Sequence, residues 1–250
     1  MSSQPAHRLR PDPNGPVQYE LVATDPSGAR AGLLHTRRGT VQTPVFMAVG
    51  THAHVRNLSI DDVRETGAPI MLGNTYHLML RPGVEVFRQF GGIHRFIDWD
   101  RPVLTDSGGF QIFSLPGDRE LTEKGANFRS YWDNSRQLLS PERSIETQQA
   151  IGSDIMMVLD VCIDSTTDEA GTREAMERTH RWALRSLSTR NLGDLTQSLF
   201  AIVQGGVHPK LRKESAAFLT AHAFDGYAIG GLAVGETKEE RESMTELATS

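Results

Sequence analysis

Cysteine is almost missing from this chain of 250 residues, where Cys162 stands alone. A single thiol excludes an intramolecular disulfide and any zinc site built from several thiolates of this chain, and a free thiol fits a reducing compartment. Long apolar runs are missing too. The longest, such as residues 155–159, fall far short of the ~20 residues that a membrane-spanning helix needs. Residues 1–16 are polar and proline-rich rather than a signal peptide, so the expected location is the cytoplasm, with no membrane partner. There is no excess of positive charge either. A formal net charge of −5 argues against a protein whose whole surface grips nucleic acid, while a local basic face stays allowed. No internal repeat at solenoid spacing and no low-complexity tract is present. What is there, 38% hydrophobic and 23% charged residues with 23 Gly and 12 Pro, is an ordinary globular composition with one domain as the default.

Residues 1–16 read as a flexible arm ahead of a domain spanning 17–250. Alternating apolar and polar residues from 19 to 43, around Asp25-Pro26-Ser27-Gly28, predict an N-terminal antiparallel hairpin. Short apolar runs then alternate with helical patterns. Strand and helix are expected at 45–49 and 59–66, 70–72 and 84–90, 103–104 and 141–151, 155–159 and 172–188, 199–203 and 209–222, and 227–229 and 238–248. Repeated βα units imply a parallel sheet covered by helices, either a closed barrel or an open doubly wound sheet. The barrel is favoured because Gly50, Asn74, Asp106, Asp160, Gln204 and Gly231 all fall at or just after the ends of successive strands, which in a barrel converge on one mouth. Closure wants eight units and six are present. The expectation is therefore a (β/α) barrel stopping after about six units, with exposed apolar strand edges and reliance on a homodimer contact or a partner chain. An insertion at about 116–139, with Phe128, Tyr131 and Trp132, reads as a small hairpin over the mouth.

The strongest local signal is Leu104-Thr105-Asp106-Ser107-Gly108-Gly109-Phe110-Gln111, a buried strand ending in a carboxylate and two glycines that permit close backbone approach by a ligand. For an isolated Asp-Ser-Gly, a helix cap or tight turn is the plainer explanation. Here Val158-Leu159-Asp160-Val161-Cys162 sets a second carboxylate at the end of the next strand, where two acids at one mouth push each other's pKa apart. Gln204-Gly205-Gly206 and Gly230-Gly231 repeat the theme; alone, such diglycines are ordinary bends. Phe110 reads equally as core packing or as a stacking platform for a flat heterocycle. His77 has no second ligand at metal spacing and reads as a hydrogen-bonded structural residue. The basic stretch Arg178, His180, Arg181, Arg185 and Arg190, with Lys210, Arg212 and Lys213 beyond it, reads as solvated helix faces ahead of nucleic-acid contact.

Taken together the motifs resemble the bacterial-type tRNA-guanine transglycosylases, also called queuine tRNA-ribosyltransferases. The matching stretches are Thr43-Pro44-Val45-Phe46-Met47, Gly73-Asn74-Thr75-Tyr76-His77-Leu78-Met79-Leu80-Arg81-Pro82-Gly83, residues 105–111, Gly152-Ser153-Asp154, Asp160 with Cys162, residues 203–206 and residues 230–236. The resemblance implies a TIM-type barrel that cleaves the glycosidic bond of guanine at the wobble position of tRNA and attaches a 7-deazaguanine to the same ribose. It implies Asp106 as the general acid/base and Asp160, Gln204 and Gly231 as the nucleobase-binding set. Leu232 backs that set, Phe110 stacks on the ring and Ser107 is a further pocket position. Cys162 and Val234 are similar to the bacterial pattern that leaves room for an aminomethyl group. Guanine's N1–H and N2–H₂ are neighbouring donors that one carboxylate can receive together, and Asp160 is the candidate for that contact. Retaining exchange also needs a carboxylate nucleophile on C1′. In the family this Asp, and a cysteine-rich structural zinc site, lie downstream of the region matched here, so no nucleophile, metal ligand or cofactor is assigned to this chain.

Two other readings stay open. One is a non-catalytic subunit that binds nucleobase or tRNA while a partner chain supplies the nucleophile. The other is an unrelated open α/β sheet holding a phosphorylated metabolite, for which Gly50-Thr51-His52-Ala53 is a poor phosphate loop.

Overall fold

Turn chemistry shapes the first layer. The computed structural model of the chain describes residues 15–115, 117, 119–193 and 196–249, so the expected arm lies outside the described residues up to residue 14. The Asp25 carboxylate accepts from the Ser27 N–H (2.9 Å), and Gly28, at φ +88°, donates to the Asp25 carbonyl (2.8 Å). Only a residue without Cβ takes that φ at little cost. β1 (Val17–Thr24) and β2 (Arg30–Thr36) pair antiparallel across this turn. The predicted hairpin is one strand short, because β3 (Gly39–Thr43) turns back onto β2 to make a three-stranded meander. The second turn has no proline or asparagine to announce it. Thr36 builds it instead, its hydroxyl donating to the Gly39 carbonyl (2.9 Å) and accepting from the Arg38 N–H (3.1 Å).

The βα steps follow. β4 (Ala48–Gly50) leads to α1 (Ile60–Glu65), and β5 (Met71–Gly73) to α2 (Thr75–Leu80), α3 (Val84–Phe90) and α4 (Ile93–Ile97). After β6 (Val103–Thr105) come α5 (Gly109–Ser114), the strands β7 (Arg119–Thr122), β8 (Gly125–Arg129) and β9 (Arg136–Leu139), and then α6 (Pro141–Ile151). β10 (Ile155–Met157), β11 (Ser198–Val203) and β12 (Gly226–Ile229) are followed by α7 (Glu169–Asn191), α8 (Pro209–Thr220) and α9 (Lys238–Thr249). The helix starts are set by side-chain caps: Ser59 with a reciprocal Asp62, Ser140 ahead of Pro141, and Asp168. Capped by Asp168, α7 begins three residues ahead of the predicted start because Glu169-Ala170-Gly171 carry no apolar period. The first strand lies later than predicted, since residues 45–47 precede it and Phe46 is 80% exposed.

The six core strands are all parallel and lie side by side in chain order, β4-β5-β6-β10-β11-β12. Among the described residues β4 and β12 each have a neighbour on one side only. The sheet is therefore open, with Val49 and Tyr227 exposed on those outer strands. Helical crossovers bury the other apolar residues. Ile145 of α6, Ala183 of α7 and Leu219 of α8 belong to one buried cluster with Ile155, Met156, Leu199 and Ala201, and Val17 and Val41 of the N-terminal meander join it. The insertion is a three-stranded sheet, β7-β8-β9, rather than a hairpin. Its Ala126, Phe128 and Leu139 pack with Tyr76 of α2, Ile112 of α5 and Trp182 of α7.

One buried acid ties the meander to the sheet. Asp154, 3% exposed just before β10, accepts from Arg37 Nε (3.2 Å), His94 Nε2 (3.0 Å) and the Val103 N–H (2.9 Å), with Arg38 Nε at 3.3 Å. Burial alone would raise its pKa. The hydrogen bond and charge of His94, the Val103 N–H and Arg37 outweigh burial and hold it below the usual carboxylate value. Among the described residues no helix is long and apolar enough to cross a membrane.

Candidate active site

The opposite ends of the strands carry the polar residues that the sequence singled out. Asp106 follows β6, and its own N–H donates to the Gly73 carbonyl (3.2 Å), extending the ladder with β5. Its Oδ1 accepts from the N–H groups of Thr75 (3.0 Å) and Gly108 (3.2 Å), and its Oδ2 accepts from Asn74 Nδ2. Gly108 reaches this position at φ +86°. Asn74 works at both ends of its amide, since its Oδ1 also caps α2 by accepting from the His77 N–H (3.1 Å). Burial pushes the Asp106 carboxyl up to about 7, and the charge of Asp160 adds to it, against the lowering effect of the Thr75 and Gly108 N–H groups and Asn74. A carboxyl titrating near neutrality is what proton transfer in both directions needs.

Asp160, 7% exposed, lies three residues beyond β10. Its Oδ1 accepts from Ser107 Oγ (3.1 Å), and its Oδ2 accepts from Gln204 Nε2 (2.7 Å) and the Cys162 thiol (3.4 Å). Burial raises its pKa, and the donors pull it back. A Cβ on Gly109 would stand 2.5 Å from Asp160 Oδ1 and 2.7 Å from its carbonyl, so the second glycine of the Gly-Gly pair is where the two acids' loops touch. The Cys162 thiol is pushed far up by burial and by the charges of Asp160 and Asp106, which leaves it a neutral packing group.

Asp106, Ser107, Phe110, Asp160, Cys162, Gly231 and Leu232 line one cavity of about 480 Å³, with Leu72, Leu104, Met157 and Ile202 as its apolar floor and Val234 on its wall. Phe110 is 48% exposed, so its ring belongs to the cavity rather than the core. Gln204 is brought to the site but sits behind it, 2% exposed, with its Nε2 given to Asp160 and its backbone N–H to Ser215 Oγ (3.1 Å). Gly231 stands against that amide, since a Cβ there would lie 2.2 Å from Gln204 Oε1, and its φ is +62°.

Arg212 departs furthest from its sequence reading. Expected on a solvated face, it is fully buried, donating from Nε to the Gly206 carbonyl (2.8 Å), from Nη1 to that of Val203 (3.3 Å) and from Nη2 to that of Gly231 (3.1 Å). It thereby ties together the two diglycine loops. Burial lowers its pKa to about 10, with Glu236 acting in the opposite direction. The signal for it was spacing: residue 212 shares a helical stripe with Ser215 and Leu219, both buried. Glu236, its carboxylate accepting from the N–H groups of Ala233 and Val234 (2.9 Å), shapes the loop that presents Leu232 and Val234. The basic stretch of α7 is neutralised rather than free. Arg178 pairs with Glu174, Arg181 with Glu123, Arg185 with Glu142 and Arg190 with Asp225, while His180 is buried against Ser215 and Phe218.

His77 is hydrogen-bonded through Nδ1 to Tyr131 Oη (2.9 Å). Among the described residues no three His, Cys, Asp or Glu converge as metal ligands, and the single thiol is engaged with Asp160. The structural zinc that the resemblance implies belongs downstream of the region matched here.

Comparison with known proteins points the same way as the geometry. A family model described as Queuine tRNA-ribosyltransferase matches residues 25–250. The chain is 48% identical over 236 residues to the queuine tRNA-ribosyltransferase of Shouchella clausii (strain KSM-K16), covering 93% of this chain and 62% of that protein. It is 50% identical over 224 residues to that of Natranaerobius thermophilus (89% and 60%) and 53% identical over 222 residues to that of Ruegeria sp. (strain TM1040) (88% and 58%). The chain thus spans about 60% of the length of the curated relatives it matches. With the match running from the N-terminal meander through every loop that lines the cavity, the chain belongs to the queuine tRNA-ribosyltransferase family.

Proposed function

We propose that this chain carries the base-recognition and proton-transfer part of a tRNA-guanine transglycosylase, and that its six parallel strands belong to a TIM-type barrel acting in the cytoplasm. The reaction replaces guanine at the anticodon wobble position by 7-aminomethyl-7-deazaguanine on the same ribose. One observation carries the reading: a carboxyl with a pKa of about 7 and a second, buried carboxylate held by Ser107, Gln204 and Cys162 open into the same cavity.

The flipped base enters edge first. Asp160 accepts its N1–H and N2–H₂ together, and these donors favour the ionised form that burial opposes. Gly231, bare of side chain, and Leu232 offer backbone N–H groups to the base carbonyl, while Phe110 stacks on the ring. Gln204 acts first by orienting Asp160; its amide has to turn before it can touch the base. Asp106 protonates guanine as it leaves and takes the proton from the incoming base, with Asn74, Thr75 and Gly108 holding its oxygens in place. Cys162 and Val234 line the part of the cavity that leaves room for the aminomethyl substituent. The nucleophile on C1′ is assigned to no residue of this chain, and protein pairing on β4 or β12 is the route by which it reaches the site.

A second arrangement, in which the chain binds base or tRNA and a separate subunit brings that carboxylate, is favoured by the apolar exposure of Val49 and Tyr227 on the outer strands. The test is twofold: calorimetric titration with guanine, then incorporation of labelled guanine into tRNA by the chain alone and together with the remaining length of a family member. Guanine binding with exchange only in the second case is expected. Absence of guanine binding at millimolar ligand overturns the reading.

A further inference from the structure

We propose that the tip of the inserted sheet, Tyr131 and Trp132 between β8 and β9, is a stacking platform for an unpaired nucleobase next to the one that enters the cavity, with Arg129 and Arg136 receiving the adjoining phosphate. The proposal rests on the functional reading above, in that it needs an RNA strand delivered to Asp106.

Three observations carry it. The rings are exposed yet held. Tyr131 and Trp132 are 52% and 56% exposed, whereas Trp99 and Trp182 are buried. The hydroxyl of Tyr131 is hydrogen-bonded to His77, its ring stacks beside Tyr76 (6.0 Å between centroids), and the Arg81 guanidinium lies 3.9 Å from the Trp132 ring. Ser130 Oγ accepts from the N–H groups of Trp132 and Asp133, so the turn that presents the rings is built rather than slack. An aromatic face kept in water by a fixed turn costs hydrophobic free energy unless something covers it.

The platform stands beside the reacting carboxyl. Tyr76 and His77, which hold Tyr131, belong to the first turn of α2, whose first N–H, that of Thr75, is bonded to Asp106. Tyr131 is thus tied to α2 two residues beyond the N–H that holds the Asp106 carboxylate.

Among the described residues the charge beside the platform has no carboxylate partner, Arg129 donating only to the Asn134 carbonyl (3.2 Å). Arg129 and Arg136 are direct cross-strand partners of β8 and β9, both exposed. Like charges placed so disfavour the pairing. Among the described residues neither has a carboxylate within ion-pair distance, and neither do Arg81 and Arg119, in contrast to the arginines of α7. A phosphate between Arg129 and Arg136 relieves that repulsion. Stacking rings flanked by cations are the composition that single-stranded nucleic acid requires, and a protein partner with an apolar face would leave the arginines unmatched.

Trp132 is its own reporter, because the other two tryptophans are buried. Titrating the chain with an anticodon stem-loop RNA that has guanine at the wobble position is expected to quench the exposed emission. Trp132→Ala is expected to abolish the quench and weaken RNA binding by about 5- to 150-fold, the range for losing one base–aromatic stack. Trp132→Phe restores most of the affinity, and Arg129→Glu with Arg136→Glu flattens the salt dependence. Free guanine, titrated calorimetrically in parallel, should bind every variant as it binds the unaltered chain. No guanine binding by the unaltered chain means that the functional reading fails. Guanine binding with RNA affinity unchanged by Trp132→Ala, or equal quenching by a fully paired duplex, overturns the platform alone.

Discussion

Asp160→Asn is the most informative single change, because it alters one atom at the point where the proposed base recognition is concentrated. The side chain keeps its size, and Ser107 and Gln204 stay on either side of it. What changes is the donor count. In the proposed pocket the carboxylate would accept from guanine at two positions, whereas the amide would keep one acceptor and turn an N–H₂ toward the other donor. One charge-assisted hydrogen bond, worth roughly 1.5–3 kcal/mol, is lost, and a buried donor is left unpaired at a further ~1–3 kcal/mol. A net loss of about 3–4 kcal/mol corresponds to a dissociation constant about 10²- to 10³-fold higher. Folding responds differently. Removing a carboxylate whose ionisation burial opposes offsets the mismatch between the new amide and the Gln204 amide, so stability should stay within about 1–2 kcal/mol. Guanine titration by calorimetry reads the first quantity and urea unfolding the second. A variant that binds guanine within about tenfold of the unaltered chain would refute the assignment of Asp160 as acceptor for the base's donor edge.

Asp106→Asn should remove the inflection near pH 7 from the pH profile of base exchange, measured in the presence of the full catalytic complement. The same change has a stability signature: because the folded-state carboxyl is raised above its unfolded value of 3.8, its contribution is complete below pH ~4 and is lost as pH rises toward 7. Unfolding titrations across that window should slope downward for the unaltered chain and flatten in the variant. Asp154→Asn should destabilise by about 1–3 kcal/mol in urea unfolding at pH 7, since the partly exposed Arg37 and Arg38 lose a buried counter-charge and the His94 and Val103 hydrogen bonds lose a charged acceptor. The Asp154 contribution is present above pH ~4 and is lost as pH falls through its depressed folded-state pKa, so the difference from the unaltered chain should shrink in acid.

How far each part was legible depended on where its information lies. The parallel strands could be read because buried strands are short continuous apolar runs, and the helices because their polar faces recur at helical spacing. The two antiparallel sheets were each read one strand short. Thr36 and Ser130 build their turns through side-chain hydroxyls, and such turns look like ordinary polar residues in sequence. Arg212 was misplaced for a related reason: arginine is normally exposed, and only three backbone carbonyls from two separate loops make its burial tolerable. Asn74 was noticed by position, but its bond to Asp106 spans 32 residues and no local pattern contains it.

By itself the sequence determined the order of the βα steps, the two acids at neighbouring strand ends, the glycines that let loops approach them and the family motifs that join these features. Those are local properties, set by burial, turn conformation and residue type. Tertiary structure alone decided that Asp106 titrates near 7 while Asp160 is caught between Ser107, Gln204 and Cys162. It also decided that the arginines of α7 pair with carboxylates while, among the described residues, those of the inserted sheet do not. The physical reason is that desolvation and charge pairing act through space, and the groups involved come within hydrogen-bonding distance of one another only when the strands lie side by side.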